Sequence, residues 1–376
     1  MSTRPRLYAV AAWLPAAAPS GAMRRLHGLV EALPPLLEPN ERVTLLVSPD
    51  TRDHFSAATG CSHVELAVPP APSWRRAWAE ARLLPNTLRT LGVDVLDLQS
   101  LPLPPRLPCA TVVTVHDVRD LTPLRRRPRW LARAALSKAL RRADRVITPS
   151  AFTARHLAAL RPRHAPPIEI VPGGVDPSFF TSAPVPTPSP PYFLHVGHLE
   201  VRKNLDLLVR AHADLRELAP SPPRLVFVGE DHGERRRLLA LAETLGTSAL
   251  VDLLDRVDEA RLRTLYAGAT AVAIPSLHEG FGLPALEALA AGRPVLVADC
   301  GALPEVVGRV GHVLPANTPG AWSAALLRTW RQPDPTEVAV QRQDHARTMS
   351  WPRAAARLLD VWRAAARRAA CGVTHH

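Results

Sequence analysis

The stretch that decides the fold reads His278-Glu279-Gly280-Phe281-Gly282-Leu283-Pro284-Ala285-Leu286-Glu287-Ala288-Leu289-Ala290-Ala291-Gly292-Arg293-Pro294. One apolar run, 271–275, comes directly before it, and a second, 295–298, follows it. This order predicts a strand, a glycine-containing turn, a helix and another strand. Such a succession is typical of an α/β protein with a parallel sheet.

The turn before the helix suits a phosphate group. Gly280 and Gly282 let the backbone approach a ligand with no side chain in the way. Pro284 fits the first helical turn, and Gly292 followed by Pro294 ends the helix. The backbone N–H groups around the turn therefore lack partners inside the helix, and we expect them to bind a phosphate at the end of the sheet.

Two glutamates bracket this turn. Glu279 precedes the glycines, and Glu287 stands eight positions further on, about one helical turn inside the helix. One carboxylate could reach a sugar above the phosphates, and the other could accept hydrogen bonds from the two hydroxyls of a ribose. Alternatively, Glu279 is a favourable charge near the helix start and Glu287 lies on a solvated face.

The pattern Glu-Gly-Phe-Gly-Leu-Pro-x-Leu-Glu-Ala over residues 279–288 resembles the Glu-x7-Glu signature of retaining glycosyltransferases of the GT-B fold, glycosyltransferase family 4. The resemblance implies an α/β protein of two Rossmann-like doubly wound domains that face each other across a cleft. It implies that Glu279 holds sugar hydroxyls and that Glu287 holds the ribose. The backbone contacts to the donor would come from Gly280, Phe281, Gly282 and Leu283.

A second cluster of the same resemblance lies near the middle of the chain. Residues 192–197 predict a strand that ends in Gly197, and Arg202, Lys203 and Asn204 follow at the start of a helix. Two cations beside the positive end of a helix are unfavourable unless an anion lies between them. In the family, this Arg and Lys grip the donor diphosphate, and Gly197 belongs to the same site.

Three further positions carry the family's features. His116 and Asp117 follow the β-branched run 111–115, and the resemblance places His116 against the donor sugar. Gly21 lies in the loop after the first predicted strand, where the family usually has two glycines over the diphosphate. Near Val257 a backbone amide reads the nucleobase in the family, but Asp255 replaces the usual glycine here, so the base stays open.

Length and composition bound the remaining possibilities. A chain of 376 residues suits two domains, and a net charge of +12 favours an anionic partner such as nucleic acid, anionic lipid or a diphosphate substrate. The arginines are spread along the chain without a nucleic-acid motif, which argues against nucleic acid. The four cysteines form no C-x-x-C pair, which indicates free thiols in a reducing compartment and no metal site.

The N-terminal apolar run 7–18 follows Arg4 and Arg6 and therefore resembles a signal peptide. Pro15 interrupts the run, and Ser20 has the position of a helix cap, so we interpret the segment as the first strand and its turn. No run of apolar residues is long enough to cross a membrane. We therefore expect a cytoplasmic protein, with a possible peripheral contact on the inner face of the membrane.

The predicted domain boundaries follow the proline content. Residues 182–191 contain five prolines and predict a stiff linker. Residues 1–181 would form the acceptor-side domain, and residues 192–348 would form the nucleotide-sugar domain. The resemblance implies that a helix over 349–370 crosses back to the first domain.

Two surface segments leave alternatives open. The segment 72–91 carries Trp74 and Trp78 among arginines and either contacts an acceptor or membrane, or forms a helix with both tryptophans packed. Residues 129–145 predict a basic amphipathic helix, which either lies against anionic lipid or is an ordinary surface helix of an arginine-rich protein.

The resemblance implies a metal-independent transfer without a cofactor, and the sequence contains no Asp-x-Asp motif. The combination of His-Asp and Arg-Lys-Asn is most similar to the mannosyltransferase branch, so the expected donor is GDP-mannose, with UDP-sugars open. The acceptor would be a glycan or a lipid-linked glycan. The alternatives are a sugar-nucleotide 2-epimerase of the same fold and a non-catalytic basic binder of nucleic acid or membrane.

Overall fold

The computed structural model describes residues 4–14, 20–56, 60–69, 71–118, 129–160, 166–180, 190–219 and 221–370. The chain divides into two compact units. The first combines the chain up to Gly174 with the C-terminal part from Trp351, and the second is Val175–Ser350. Each unit is an α/β domain with its own parallel sheet and its own core.

The strands of the first unit are β1 (Arg6–Ala11), β2 (Glu41–Val47), β3 (Ser62–Glu65), β4 (Val95–Leu98), β5 (Ala110–Thr114), β6 (Arg145–Thr148) and β7 (Ile168–Ile170). They pair in parallel in the order β3-β2-β1-β4-β5-β6-β7. From β1 the chain first adds strands on one side of the sheet, up to β3, and then adds β4 to β7 on the other side of β1. This change of side between β1 and β4 is the arrangement of a doubly wound sheet. The strand β1 confirms the strand part of the interpretation of the N-terminal run, while residues 15–19, where the turn was expected, lie outside the described residues.

The first unit's helices begin with α1 (Gly21–Ala32), α2 (Ser73–Leu91), α3 (Arg129–Arg142) and α4 (Ala151–Ala158). Two of them start at serine caps, of which the cap at Ser20 was expected. The Ser20 hydroxyl accepts a hydrogen bond from the Met23 N–H at 3.3 Å, and the Ser150 hydroxyl accepts one from the Thr153 N–H at 3.1 Å. Each cap pairs one of the N–H groups that a helix start leaves open.

The second unit has the strands β8 (Tyr192–Val196), β9 (Arg224–Val228), β10 (Val251–Leu254), β11 (Ala271–Ile274), β12 (Val295–Ala298) and β13 (His312–Leu314), paired in parallel in the order β10-β9-β8-β11-β12-β13. Its helices are α5 (Leu205–Leu218), α6 (Arg235–Thr244), α7 (Glu259–Gly268), α8 (Leu283–Ala290), α9 (Leu303–Val307), α10 (Pro319–Arg331) and α11 (Thr336–Arg347). The deciding stretch thus forms α8 between β11 and β12. The expected pair of Rossmann-like domains is confirmed.

The final helix, α12 (Trp351–Ala370), belongs to the first unit. Its Arg363 guanidinium donates to Glu41 at 2.7 and 2.9 Å, and the Tyr8 hydroxyl donates to the same carboxylate at 2.7 Å. Burial raises the pKa of Glu41, but the hydrogen bonds from Arg363 and the other donors outweigh this effect and lower the pKa to about 2. A buried ionised carboxylate therefore links α12 to β1 and β2.

The division between the units lies earlier than the predicted linker, most of which falls outside the described residues. Residues 175–180 pack with the second unit. The Val175 N–H donates to the Met349 carbonyl at 3.2 Å, and the Phe179 ring meets the Tyr266 ring edge-on at 5.6 Å. These contacts place the chain just before the proline-rich segment on the second unit.

The segment 72–91 is a helix, but the expected alternative of two packed tryptophans is wrong. Trp74 and Trp78 are 67% and 66% exposed. The buried face instead contains Arg76 and Glu80, whose charged groups lie 3.6 Å apart, and Glu80 accepts a hydrogen bond from the Trp13 indole at 2.7 Å. Because the ion pair takes the inner face of α2, its tryptophans point to solvent.

Candidate active site

The predicted donor-site residues of the second unit gather at the carboxyl ends of the neighbouring strands β8 and β11. Gly197 directly follows β8, and Glu279 lies in the loop after β11. The Leu277 N–H donates to the Arg202 carbonyl at 2.8 Å, which joins the two loops. The carboxyl edge of a parallel sheet is where such domains bind ligands.

Lys203 and Glu279 form the centre of this group. The Lys203 ammonium lies 2.5 Å from Glu279 Oε1, and the Ser276 hydroxyl donates to the same oxygen at 2.9 Å. Burial raises the pKa of Glu279, but the charges of Lys203 and Arg202 outweigh it and lower the pKa to about 2. Glu279 is therefore ionised throughout the neutral pH range.

Arg202 adds a second cation to the same carboxylate. One guanidinium nitrogen lies 3.3 Å from Glu279 Oε2 and donates to the His278 carbonyl at 3.1 Å, and another lies 2.6 Å from Glu200. The anion that the sequence requires between two cations is therefore supplied within the chain by Glu279. A second anion at this place would compete with the two glutamates for the same donors.

The backbone around Glu279 and Lys203 is held closely. Gly301 has φ +65°, and a Cβ added there would lie 2.6 Å from both the N and the O of Glu279. Asn204 has a left-handed φ of 55°, and its side-chain amide donates to the Pro275 and Ala316 carbonyls at 3.3 and 2.9 Å. Glycine and asparagine are the residues that tolerate such a backbone.

His195 is a polar neighbour that sequence analysis missed. It is fully buried, and its Nδ1 lies 2.8 Å from the Ala273 carbonyl, so Nδ1 carries the proton. Its Nε2 has no hydrogen-bond partner among the described residues. Burial and the nearby Lys203 lower the pKa of His195 to about 4, which keeps the ring neutral with an open acceptor.

The glycine turn has the geometry that was expected of it. Gly282 caps α8 with φ +110°, and no side chain caps the helix start. Within the described chain, the N–H groups of residues 280–283 donate no hydrogen bond to another protein group. Phe281 and Leu283 are buried on either side of Gly282. The turn thus presents unpaired donors beside the carboxyl end of β11.

Glu287 does not lie on a solvated face, so that alternative is wrong. Its side chain is only 3% exposed, and the Tyr266 hydroxyl donates to its Oε2 at 2.8 Å. Tyr266 stands on α7 and was not predicted as a partner. Its contribution follows from the contact between α7 and α8, which is not visible in the local sequence pattern.

Val257 lies in the loop after β10, two strands from β8 in the sheet order, and is half-buried. The preceding Asp255 is exposed and accepts a hydrogen bond from Arg235 at 2.5 Å. The loop therefore stands at the same carboxyl edge as Gly197, further along the sheet.

The first unit contains a separate polar cluster around His116, which follows β5. Its Nε2 is buried without a hydrogen-bond partner in the described residues, and burial together with the charge of Arg25 lowers its pKa to about 3. Arg25 is itself only 3% exposed and donates to the Val171 carbonyl at 2.6 Å. Near these groups, the buried Asp97 accepts hydrogen bonds from Gln99 at 2.8 Å and Trp362 at 3.1 Å.

Sequence analysis missed Arg25, although one signal was present. It stands one turn before Leu29, on the face of α1 that the apolar residues define. A charged residue on an apolar helix face indicates a buried polar partner. Gly21 is the first residue of α1, and a Cβ added there would meet no atom within 4 Å. Gly21 is therefore not required by packing.

The two domains match known glycosyltransferase domains. Residues 19–179 match the family model described as Glycosyltransferase Family 4, and residues 181–344 match the one described as Glycosyl transferases group 1. The chain has the two-domain GT-B architecture and consists largely of a family 4 glycosyltransferase domain followed by a group 1 domain. The expected GT-B fold and the expected glycosyltransferase domains are thus confirmed.

Among curated proteins, the chain is similar to a D-inositol 3-phosphate glycosyltransferase of Corynebacterium glutamicum (strain R), with 35% identity over 190 residues. The match covers 48% of this chain and 45% of that relative. A protein of the same name from Mycobacterium avium (strain 104) is 35% identical over 243 residues, 60% of this chain and 54% of the relative. The chain thus spans about half the length of the curated relatives it matches.

Solved structures show the same fold at low identity. Sucrose-phosphate synthase from Thermosynechococcus elongatus has a TM-score of 0.79 at 19% identity and covers 96% of this chain and 99% of its own. HepE of Anabaena, in complex with UDP-glucose, has a TM-score of 0.72 at 16% identity, and the match covers 96% of this chain and 99% of HepE. In the ranges that the structure describes, no helix has the length and apolar character needed to cross a bilayer.

Proposed function

We propose that this chain is a retaining hexosyltransferase that moves a hexose from a nucleotide-diphosphate sugar to an acceptor hydroxyl. The observation that carries the proposal is the Lys203–Glu279–Arg202 group beside the unpaired N–H groups of residues 280–283. Two cations and a row of backbone donors at one edge of a sheet form a site for a diphosphate. The matched family domains agree with this role.

The chemistry requires stabilisation of the leaving diphosphate. As the bond between sugar and phosphate breaks, negative charge grows on the phosphate oxygens. Lys203, Arg202 and the turn amides are fixed before the reaction and would stabilise that charge, as preorganised donors do. In this proposal the acceptor hydroxyl attacks from the side of the leaving group. The sugar configuration is then retained without a covalent intermediate.

The glutamates and His116 would hold the donor. Glu287 would accept hydrogen bonds from the ribose hydroxyls, Glu279 would hold sugar hydroxyls, and His116 would hold the sugar from the first domain. Both glutamates already have partners in the chain, Tyr266 and Lys203, which fix the direction of each carboxylate. The transfer itself is proposed to need no metal ion.

We propose GDP-mannose as the donor. The support is the resemblance of the His-Asp and Arg-Lys-Asn motifs to those of the mannosyltransferase branch. The HepE structure is a complex with UDP-glucose, so UDP-sugars are the principal alternative in the test.

A thermal-shift panel tests the donor site. GDP, UDP, ADP, TDP and their common sugar conjugates are added to the wild type, Glu287→Ala and Glu243→Ala, which removes an exposed carboxylate from α6 of the same unit. A ligand at 100 times its Kd should raise the melting temperature by about 5–10 °C. We expect this shift with GDP and GDP-mannose for the wild type and Glu243→Ala.

In Glu287→Ala the ribose contact is lost, and the apparent Kd should rise at least about tenfold. Each shift is measured against the variant's own unliganded melting temperature, because the change also removes the acceptor of Tyr266. A shift with UDP ligands alone would show that the donor is a UDP-sugar and not a GDP-sugar. No shift with any nucleotide would refute the donor site, and donor turnover without acceptor would indicate an epimerase.

We propose a lipid-linked glycan at an anionic membrane surface as the acceptor, in contrast to the inositol phosphate in the relatives' names. The support is α2, where two exposed tryptophans stand one turn apart and each carries an arginine over its ring. Arg75 lies 5.2 Å from the Trp74 ring centre, and Arg82 lies 5.6 Å from that of Trp78. Tryptophan and arginine side chains favour the interface between lipid and water. The helix α3 adds the exposed Trp130 to the same unit.

Vesicle sedimentation tests the membrane contact. The wild type should bind vesicles containing anionic lipid and be released by salt, whereas Trp74→Ala/Trp78→Ala should bind at least about tenfold more weakly. Leu218→Ala removes an exposed apolar side chain from α5 and should bind as the wild type does. Equal binding of the double variant, or transfer to D-inositol 3-phosphate without vesicle binding, would contradict the proposal.

A further inference from the structure

Two histidines and a glutamate meet at the carboxyl ends of β8 and β9, outside the donor group described above. His198 follows β8, and Glu230 and His232 follow β9. One possible ligand atom from each residue lies within 4.8 Å of the other two. The two imidazole rings are stacked, with centres 4.4 Å apart and planes 14° apart. In the described chain this is the one group of three such side chains with that spacing.

Backbone hydrogen bonds hold the two loops that carry these three side chains close together. The pairing of β8 with β9 continues past the strand ends, because the Leu199 N–H donates to the Glu230 carbonyl at 2.9 Å and the His232 N–H donates to the Leu199 carbonyl at 3.0 Å. At Gly229 an added Cβ would lie 2.1 Å from the Gly197 carbonyl oxygen. The two loops are therefore in direct backbone contact.

The polar atoms of this cluster are incompletely paired. His198 Nδ1 is buried and has no hydrogen-bond partner among the described residues. Glu230 lies 3.7 Å from His232 Nε2 and 3.6 Å from Arg256, which are distances of weak, partly exposed ion pairs. A buried nitrogen without a partner is unfavourable unless a ligand completes it.

We propose that His198, Glu230 and His232 bind a divalent transition-metal ion of the zinc class. Two imidazoles and one carboxylate are a known donor set for Zn²⁺, and they leave a fourth position for water. Bonds of about 2.0–2.2 Å require the ligand atoms to approach from their present spacing. The ion would tie the loop that carries Lys203 to the loop after β9. This site is separate from the proposed transfer chemistry and does not depend on it.

Zinc titration by calorimetry tests the site, with full-length protein that has been treated with a chelator and contains no sugar nucleotide. We expect one Zn²⁺ per chain with a Kd in the micromolar range or below, and a rise in melting temperature on binding. His198→Ala and His232→Ala should weaken binding at least about tenfold, and Glu230→Gln should weaken it while preserving the fold. Co²⁺ should give the visible absorption of a tetrahedral site in the wild type only.

Two control variants remove histidines elsewhere in the chain. His27→Ala removes a half-buried histidine that lies 3.3 Å from Glu31, a pair without a second imidazole. His375→Ala/His376→Ala removes the C-terminal pair. Both variants should bind zinc as the wild type does. No binding to the wild type, or a Kd unchanged by His198→Ala and His232→Ala, would overturn the proposal. Neither outcome depends on the donor-site tests.

Discussion

Lys203→Met is expected to reduce the rate of sugar transfer by about 10²–10³-fold. The lysine is 5% exposed, its ammonium lies 2.5 Å from Glu279, and it belongs to the loop that follows Gly197. Methionine keeps most of the side-chain volume and removes the charge. A fixed cation of this kind contributes most where negative charge develops, so its loss should affect the reaction more than the binding of donor.

The measurement is steady-state transfer with the donor that the thermal-shift panel identifies. A fall in kcat at nearly constant KM would place Lys203 against the developing charge, whereas a rise in KM at constant kcat would indicate a role in donor binding alone. Arg210→Met removes an exposed cation from α5 and should leave both constants unchanged. A Lys203→Met variant that keeps more than about a tenth of the wild-type rate would contradict the assignment.

A loss of folding must be separated from this loss of chemistry. Removing one partner of a buried ion pair destabilises by about 3–5 kcal/mol, because the other charge remains buried. Lys203→Met/Glu279→Gln removes both charges and should recover much of the melting temperature. It should recover none of the transfer rate, because the cation is still absent. Recovery of both would show that Lys203 acts through stability.

The sequence predicted best what depends on neighbours along the chain. The cap at Ser20 and the glycine turn at Gly282 both follow from local rules of backbone geometry. The donor group also followed, since strand ends in a parallel sheet bring Gly197 and Glu279 to one edge. The family resemblance supplied the roles of these residues, which periodicity alone does not contain.

Partners that are distant in sequence could not be predicted in this way. Glu287 is paired with Tyr266, which is 21 positions earlier, and Arg25 is buried against Val171, 146 positions later. Such contacts depend on which helix faces pack together. The same reason explains why the buried face of α2 could not be predicted. Two tryptophans one turn apart are compatible with a buried or an exposed helix face, and the hydrogen bond between Glu80 and Trp13 shows which face is buried.

The residues of the proposed zinc site show most directly why such contacts cannot be predicted from local sequence. His198 and His232 are 34 positions apart, far beyond the spacing of short zinc motifs, and each looks like an isolated histidine after a strand. Only the parallel pairing of β8 and β9 brings them side by side. A sequence can show that two strands are present, but their adjacency in the sheet is a property of the whole domain.

Trp362→Ala is expected to lower the stability of the first unit by about 3–5 kcal/mol. The indole on α12 is fully buried, stands 5.3 Å from the Tyr8 ring and donates to Asp97 at 3.1 Å. The change leaves a cavity between α12 and the sheet and removes a donor from a buried carboxylate. Native-state hydrogen exchange of the β1 amides measures the effect within this unit, where whole-chain unfolding would mix both units.

Trp362→Phe separates the two contributions through pH. Burial raises the pKa of Asp97 to about 6, although Trp362 and other donors oppose this. The pKa of Asp97 in the folded state is above the ordinary value of 3.8. Its contribution to the stability of the folded state is therefore fully present below pH 3.8 and is lost as the pH rises through about 6. The indole N–H stabilises the ionised form, so its loss should destabilise more at pH 7.5 than at pH 4.5, by about 1–2 kcal/mol.

The matched control is Trp74→Ala, which removes an exposed tryptophan from the same unit and should change the exchange of β1 by less than about 0.5 kcal/mol at either pH. A loss below about 1 kcal/mol for Trp362→Ala would show that α12 contributes little to the first unit. An equal effect of Trp362→Phe at both pH values would show that Asp97 does not depend on the indole. The expected pattern instead makes α12 a support for the polar cluster that contains Asp97, Arg25 and His116, because all three are linked through buried charge.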